Sequence, residues 1–245
     1  MNPLKSVVGT ITAGFVLAIL YLVAQGLSSF NLWSTLTWLH VIAGVIWIGL
    51  LYYFNFIQTE YVKEADDGAK ADVMAKLAPR ALWWFRWAAM FTFLTGLLLI
   101  GSVMHRHGGV SLSITLGILM GTLMMLNVWL IIWPNQKIVI GLESGDKAAA
   151  GPKAGLASRT NTLLSLPMLF FMVASGHQQG MVGVWGGGGD ITVSGVALLV
   201  GLAIIVIIEA NAIWGKMNGA MLSVKAVITS SVVLTIIMSG VVKYL

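Results

Sequence analysis

Cysteine is absent from this 245-residue chain, and charged residues make up only 9% of it. Without thiolates the chain cannot form disulfides, iron–sulfur clusters or thiolate metal sites, and it lacks the C-x-x-C-H motif that attaches c-type haem. Soluble domains carry about 25% charged residues, against the 9% found here, and 58% of this chain is hydrophobic. These shortages exclude an ordinary soluble domain and predict a polytopic membrane protein.

Motifs of hydrolases and of nucleotide-binding proteins are missing as well. The chain contains neither Gly-x-Ser-x-Gly nor His-Glu-x-x-His, and the glycine run 186–189 is not followed by the Lys-Ser/Thr of a phosphate loop. The net charge of +5 does not indicate nucleic acid as a partner, because the basic residues fall in connections where membrane topology uses them.

Seven stretches are apolar enough to cross a bilayer, which takes about 20 residues. The fifth is the weakest, because its apolar part is short and contains Pro167. The basic Met1–Lys5 stretch precedes an apolar run that lacks a convincing cleavage site, so we assign this run to a first spanning helix rather than a signal peptide. We predict one all-α transmembrane bundle over residues 1–245. Its spans are Val7–Ala24, Trp33–Ile57, Trp84–Met104, Leu112–Trp133, Asn161–Ser175, Ile191–Trp214 and Met221–Val242.

Lysine and arginine predict the orientation of the bundle. They cluster in the connections after spans two, four and six, whereas the other side holds only Arg106 and Lys243. The positive-inside rule therefore predicts a cytoplasmic N-terminus and a periplasmic C-terminus. The segment 141–158 is rich in Gly, Ala and Lys and predicts a mobile cytoplasmic loop.

The four histidines of the chain are the main functional signal. His40 lies inside an apolar span, where an imidazole must be hydrogen-bonded or metal-bound, so it is a candidate functional residue. With the predicted spans, His40 lies roughly 10 Å below the outer surface at about 1.5 Å rise per residue. His105 and His107 follow the third span, and His177 follows the fifth. All four are expected in the outer third of the membrane.

Imidazoles without thiolates and with few carboxylates suit the iron of haem b better than a hard cation. Gly44 and Trp47 share the helix face of His40, and the missing side chain at Gly44 leaves a gap that a porphyrin could fill. Met104 or Met172 is an alternative axial ligand. In other interpretations His40 only hydrogen-bonds a neighbouring helix, and Gly44 only permits close helix packing.

Other polar residues lie within or near the spans. Arg86 stands among four aromatic residues, where it either packs by cation–π contacts or serves as counter-ion to a haem propionate. Glu209 and Lys225 are expected to pair, because each is costly in the membrane. Interhelical hydrogen bonds are predicted for Asn55, Asn127, Asn161 and Asn211.

Several separated motifs occur in order along the chain. They are Trp38–Gly49 with Tyr52–Phe56, Trp84–Trp87 with Leu94–Gly96, Asn127–Trp129 with Trp133–Lys137, and Arg159–Asn161 with Ser165–Pro167 and Ser175–His177. Together they resemble the membrane domain of PuuD-type bacterial urate hydroxylases, the urate oxidase N-terminal family. The resemblance extends from about span two to span five, and the stretch around His40 alone is also similar to HemJ-type protoporphyrinogen oxidases and CopD-like proteins.

The resemblance implies a redox protein of the bacterial cytoplasmic membrane that binds one or two haems b. It implies His40 and His177 as axial ligands of haem iron; His105 and His107 are candidates by predicted depth only, and Gly44, Trp47 and Arg86 complete the predicted cofactor site. Family members carry an external cytochrome c domain, which we expect this cysteine-free chain to lack. A separate cytochrome c or respiratory-chain subunit would then accept the electrons.

Two other functions remain open from the sequence. A copper-handling protein or transporter would use Met104, His105, His107 and His177 as entry ligands. A non-catalytic subunit would bind a larger membrane complex, or copies of itself, through its apolar helices. The residues do not identify a substrate, since urate is implied by the resemblance alone.

Overall fold

The computed structural model describes residues 6–24, 32–107, 110–177, 184–185 and 194–245, without the side chains at positions 7, 8, 11, 22, 102–107, 176, 177, 184 and 185. This part of the chain forms seven helices and one pair of two-residue strands, Val110–Ser111 (β1) and Val184–Trp185 (β2), which pair antiparallel. The helices are α1 (Val7–Ala24), α2 (Leu32–Glu64), α3 (67–107), α4 (Leu112–Val139), α5 (Lys147–His177), α6 (Gly195–Trp214) and α7 (Val224–Tyr244).

The predicted all-α transmembrane bundle is confirmed. Helices α2 to α7 are each long and apolar enough to cross a membrane, judged by length and composition. Helix α1 coincides with the first predicted span, although its apolar part, Thr12–Tyr21, is shorter. Which end faces the cytoplasm stays a prediction. We call the end where α2 ends and α5 begins the lysine-rich end, and the opposite end, where α2 begins, the histidine end.

Three helices contain a turn of π-helix, at Tyr53–Gln58 in α2, Val73–Leu77 in α3 and Asn127–Ile132 in α4. Between α2 and α3 the chain leaves the helical conformation at Asp66, whose carboxylate accepts a hydrogen bond from Ala69 N (2.8 Å) and caps the start of α3. π-Turns are frequent at functional sites, and two of these three place an asparagine against α5.

Helix α5 is the centre of the bundle, although its sequence predicts the weakest span. Of its most apolar 18-residue window, 67% is buried, against 17% for α2 and for α7. A glycine permits the close approach of the neighbouring helix α4, because a Cβ on Gly117 would lie only 3.4 Å from Cβ of Phe171. Small residues at helix crossings are typical of membrane bundles, and Pro167 lies inside the helix, where neighbours satisfy the backbone.

The predicted loop 141–158 is wrong over most of its length, because α5 begins at Lys147. Asp146 caps this helix: its carboxylate accepts hydrogen bonds from Ala148 N (2.8 Å) and Ala149 N (3.3 Å). The Gly and Lys residues here resemble a loop, but the alanine run 148–150 is a strong helix former once it is capped. Ala150, Ala154 and Ala157 are buried, so packing stabilises this first part of α5.

We expect hydrogen exchange to distinguish a capped helix from a mobile loop. Amides of residues 151–158 should be protected in the purified chain, and Asp146→Ala should speed exchange in the first turns of α5, because a lost cap costs about 0.5–2 kcal/mol. Ser144→Ala, two residues earlier in the exposed connection, is the control. Fast exchange throughout 151–158 in the unaltered protein would contradict the helix.

Candidate functional site

His40 lies at the contact between α2 and α3. Its Nδ1 is 3.1 Å from the hydroxyl oxygen of Thr95, and its ring occupies the space left by Gly96, where a Cβ would lie 3.2 Å from Cε1 of the imidazole. The ring is half-buried. The imidazole is thus hydrogen-bonded to a neighbouring helix, as one of the two interpretations expected, and binding of a metal by this ring stays a prediction.

The hydroxyl of Thr95 determines which ring nitrogen of His40 carries the proton. Its one proton is donated to the carbonyl of Phe91 (2.7 Å), with that of Thr92 at 3.1 Å. The hydroxyl oxygen must therefore accept the bond from His40, so Nδ1 is protonated in the neutral ring and the lone pair is on Nε2. The site thus presents a neutral histidine with one oriented, basic nitrogen.

The two neighbours of His40 on its helix face differ in surroundings. A Cβ on Gly44 would lie 3.9 Å from Cγ2 of Thr92, so α3 packs over this glycine and the close-packing interpretation is supported. Trp47 is only 2% exposed, and its indole N–H has no hydrogen-bond partner among the described residues. A buried donor without a partner is rare and indicates a place where a ligand atom could be bound.

His177 ends α5 at the histidine end of the bundle. The hydroxyl groups of Tyr52 and Ser165, 2.9 Å apart, link α2 to α5, and these helices run in opposite directions. His40 precedes Tyr52 by the same sequence separation by which His177 follows Ser165. At a rise of about 1.5 Å per residue both lie about 18 Å from this link. The side chain of His177 lies outside the described residues.

His105 and His107 lie farther along the bundle. Both follow Thr95 within α3, and the helical rise carries their backbones about 15 and 18 Å beyond the level of His40. Their side chains, and that of Met104, lie outside the described residues. By residue count along α3, His105 and His107 therefore lie at a different level from His40, whereas the approach of the His177 ring to His40 stays a prediction.

Arg86 packs among aromatic rings, as one interpretation predicted. Its guanidinium carbon is 3.9 Å from the ring centroid of Trp133 and 5.8 Å from that of Trp129. The indole of Trp129 also donates to the backbone carbonyl of Arg86 at 3.1 Å. Arg86 precedes Thr95 by nine residues, about 14 Å along α3, so the structure does not bring it to His40.

A polar segment in the centre of α5 contacts three other helices, and sequence reasoning assigned most of it to a loop or a span end. Asn55 of α2 donates to the Ser158 hydroxyl at 2.8 Å, and Ser231 of α7 donates to the carbonyl of Leu163 at 2.7 Å. We define the polar segment as Ser158, Arg159, Thr160, Asn161, Thr162 and Ser165, of which all but Ser158 are buried.

Asn161 joins this segment to α4 and α6. Its amide donates to the carbonyl of Met124 (2.9 Å), which orients its carbonyl oxygen towards the amide of Asn127 (3.0 Å). The same Asn127 amide donates to Oε2 of Glu209 at 3.1 Å. Interhelical hydrogen bonds are confirmed for Asn127 and Asn161, and for Asn55 with Ser158.

The predicted pairing of Glu209 with Lys225 is wrong. Glu209 is buried while Lys225 is exposed at the start of α7, and none of the ion pairs between described residues includes either of them. The asparagine amide takes the place of the cation. Asn211 also departs from prediction, because its buried Nδ2 has no partner within the described ranges.

A periodic signal could have revealed the polar segment. Ser158, Thr162 and Ser165 recur at the spacing of one helix face, as do their partners Tyr52 and Asn55 on α2. Within the part of the chain that the structure describes, no group of three or more His, Asp or Glu is close enough to bind a metal ion, which leaves His40 as the candidate ligand whose side chain is seen.

Comparison with known proteins places the chain in a family. The model of a family described as urate oxidase N-terminal matches residues 101–239. The match contains Arg159, Asn161 and His177, but it begins after His40, so it starts later and extends farther than the resemblance predicted. Neither the curated proteins nor the solved structures contain a match to the chain. Because the family model covers more than half of the residues, the chain belongs to the urate oxidase N-terminal family.

Proposed function

We propose that this multi-pass membrane protein is a haem b-binding oxidoreductase of the urate hydroxylase type, or an electron-transfer subunit of one. The observation that carries the proposal is the hydrogen bond between His40 Nδ1 and Thr95 (3.1 Å), because it leaves Nε2 free to bind iron. Metal-binding histidines almost always donate their other ring N–H in this way, and the bond fixes both the tautomer and the ring orientation.

Other features of α2, α3 and α5 fit a porphyrin beside His40. His177 ends α5 on the same side of the Tyr52–Ser165 link as His40, and we propose it as the second axial ligand. The buried indole N–H of Trp47 has no partner among the described residues, and it lies seven residues from His40 on the same face, about 10 Å along α2. A donor there suits a haem propionate.

A bound haem b would supply a one-electron redox centre within the membrane. His40 and His177 would hold it, Thr95 would orient His40, and the apolar helices would exclude water. We propose that electrons taken from urate pass to a separate cytochrome c or respiratory-chain subunit, at the histidine end of a bundle in the bacterial cytoplasmic membrane.

Absorption spectra of the purified chain test this proposal. We expect a Soret band, and sharp α and β bands after reduction with dithionite or, without oxygen, with urate. A colourless, iron-free protein contradicts haem binding. Copper without haem would favour metal handling, and stable partner proteins without any cofactor would favour a non-catalytic subunit.

A further inference from the structure

Arg159 is a buried arginine without an ion-pair partner. It is 6% exposed, its Nη1 is buried without a hydrogen bond to any described residue, and no carboxylate of the described residues lies within 4.0 Å of it. A charge withdrawn from water is costly unless it is paired. A guanidinium kept in this state within a membrane bundle indicates that an anion binds there.

The surroundings of Arg159 are apolar and aromatic. Leu156 and Leu163 lie three residues before it and four residues after it, on the same face of α5. Both belong to a cluster with Met221 and Val227, against which Phe56 of α2 packs. The ring of Phe56 is stacked on that of Tyr52, with centroids 5.0 Å apart and 17° between the planes. Aromatic rings thus pack against the apolar cluster that shares a helix face with Arg159.

The adjacent hydroxyl of Thr160 forms only a weak hydrogen bond, which a ligand could replace. It is buried, and its partner is the sulfur of Met221 at 3.9 Å, a weak acceptor that an oxygen would readily replace. Glu60 is close enough to interact electrostatically with the Arg159 guanidinium. It is exposed, however, and forms an ion pair with Lys63 (2.7 Å). Arg159 therefore keeps its capacity for an outside anion.

This position is separate from the His40 site. Arg159 lies six residues from Ser165 towards the lysine-rich end of α5, whereas His40 lies on the other side of the Tyr52–Ser165 link, towards the histidine end. Arg159 therefore lies closer to the lysine-rich end of the bundle than His40 does.

We propose that Arg159, Thr160 and Phe56 form a binding site for a planar organic anion, and that this anion is the purine substrate. The guanidinium fork matches paired oxygen acceptors and stacks on flat rings, the hydroxyl supplies a further hydrogen bond, and lysines at this end attract anions. The identity of the anion as urate rests on the proposed function; anion binding by Arg159 does not.

Equilibrium dialysis of the full chain in lipid nanodiscs against labelled urate tests the site. We expect saturable binding that Arg159→Gln weakens at least about tenfold, because a charge-assisted hydrogen bond is lost. Arg80→Gln, which removes an exposed arginine at the same end, should leave binding unchanged. Hypoxanthine, an uncharged purine, and inorganic phosphate, which is not planar, should compete poorly.

Three results would overturn the site. They are the absence of urate binding to the unaltered chain, equal binding by Arg159→Gln, and competition by phosphate as strong as that by urate. The last result would indicate that phosphate or a lipid headgroup is the ligand instead. Ligand-free Arg159→Gln should unfold at the same or a higher temperature. If Arg159→Gln and Glu60→Gln both lower it, Arg159 is a structural partner of Glu60. A haem-containing chain that urate reduces, but whose urate binding is unchanged in Arg159→Gln, contradicts this site alone. A haem-free chain whose urate binding is weakened by Arg159→Gln contradicts the proposed function alone.

Discussion

His40→Ala is expected to remove the haem spectrum of the purified chain completely. The substitution deletes the nitrogen whose lone pair is left free by the 3.1 Å bond to Thr95, and in an apolar helix no water replaces an axial ligand at low cost. The protein should still fold, because His40 is half-buried and its one side-chain partner, Thr95, keeps its bonds to the backbone of α3. The measurement is the reduced-minus-oxidised spectrum at equal protein concentration.

A graded series of variants makes this result specific to the site. Thr95→Val keeps the shape but removes the acceptor for Nδ1, and losing such a partner typically costs about 10–100-fold in metal affinity. Gly96→Ala should weaken haem binding, because the new Cβ would meet the imidazole at 3.2 Å, whereas Gly101→Ala on the same helix has open space and should have no effect. His105→Ala is expected to keep its haem. A full spectrum in His40→Ala contradicts the assignment.

Asn161→Leu is expected to give the largest loss of stability, roughly 1–3 kcal/mol in the free energy of unfolding. Asn161 is fully buried and bonds both the carbonyl of Met124 (2.9 Å) and the amide of Asn127 (3.0 Å). Leucine fits the volume but removes one buried hydrogen bond from each group, although Asn127 keeps its bond to Glu209 (3.1 Å) and the Met124 carbonyl keeps a backbone N–H of its own helix. Chains unfolded in detergent or lipid find other partners, which places the loss towards the lower end.

Two variants serve as controls for Asn161→Leu in thermal unfolding of the detergent-solubilised chain. Asn218→Ala removes an exposed amide that accepts from Ala220 N at 3.1 Å, and it should change stability by less than about 0.5 kcal/mol. Glu209→Gln keeps an oxygen for the Asn127 amide and should also have a small effect. Equal losses in Asn161→Leu and Asn218→Ala would contradict a central role for the polar segment.

The spans could be predicted because hydropathy is a local property. Each predicted span overlaps an observed helix, and Trp33, Trp133 and Trp214 lie close to the predicted ends of their spans. The start of α5 could not be predicted in this way, since glycines and lysines in 141–158 read as a loop until the Asp146 cap and the burial of Ala154 are seen. Capping and packing, rather than composition, make that segment helical.

The candidate site was predicted only in part. An imidazole in hydrocarbon is costly enough to single out His40 from its surroundings alone, and the structure supplies its partner, Thr95. Depth counted along the sequence grouped His105 with His40, because that count does not include the level at which α2 and α3 meet. Arg159 was grouped with the basic residues of the connections, because its burial depends on helices that are distant in sequence, such as α7.

Residue composition and hydropathy by themselves determined that this chain is an all-α membrane bundle, because bilayer thickness and the need to satisfy backbone hydrogen bonds in lipid allow little else. Only the tertiary structure decided that Thr95 sets the tautomer of His40, that Asn127 rather than Lys225 reaches Glu209, and that Arg159 is buried without a carboxylate. Each depends on the rotation and relative level of packed helices, which arise from long-range side-chain packing and leave no local trace in sequence.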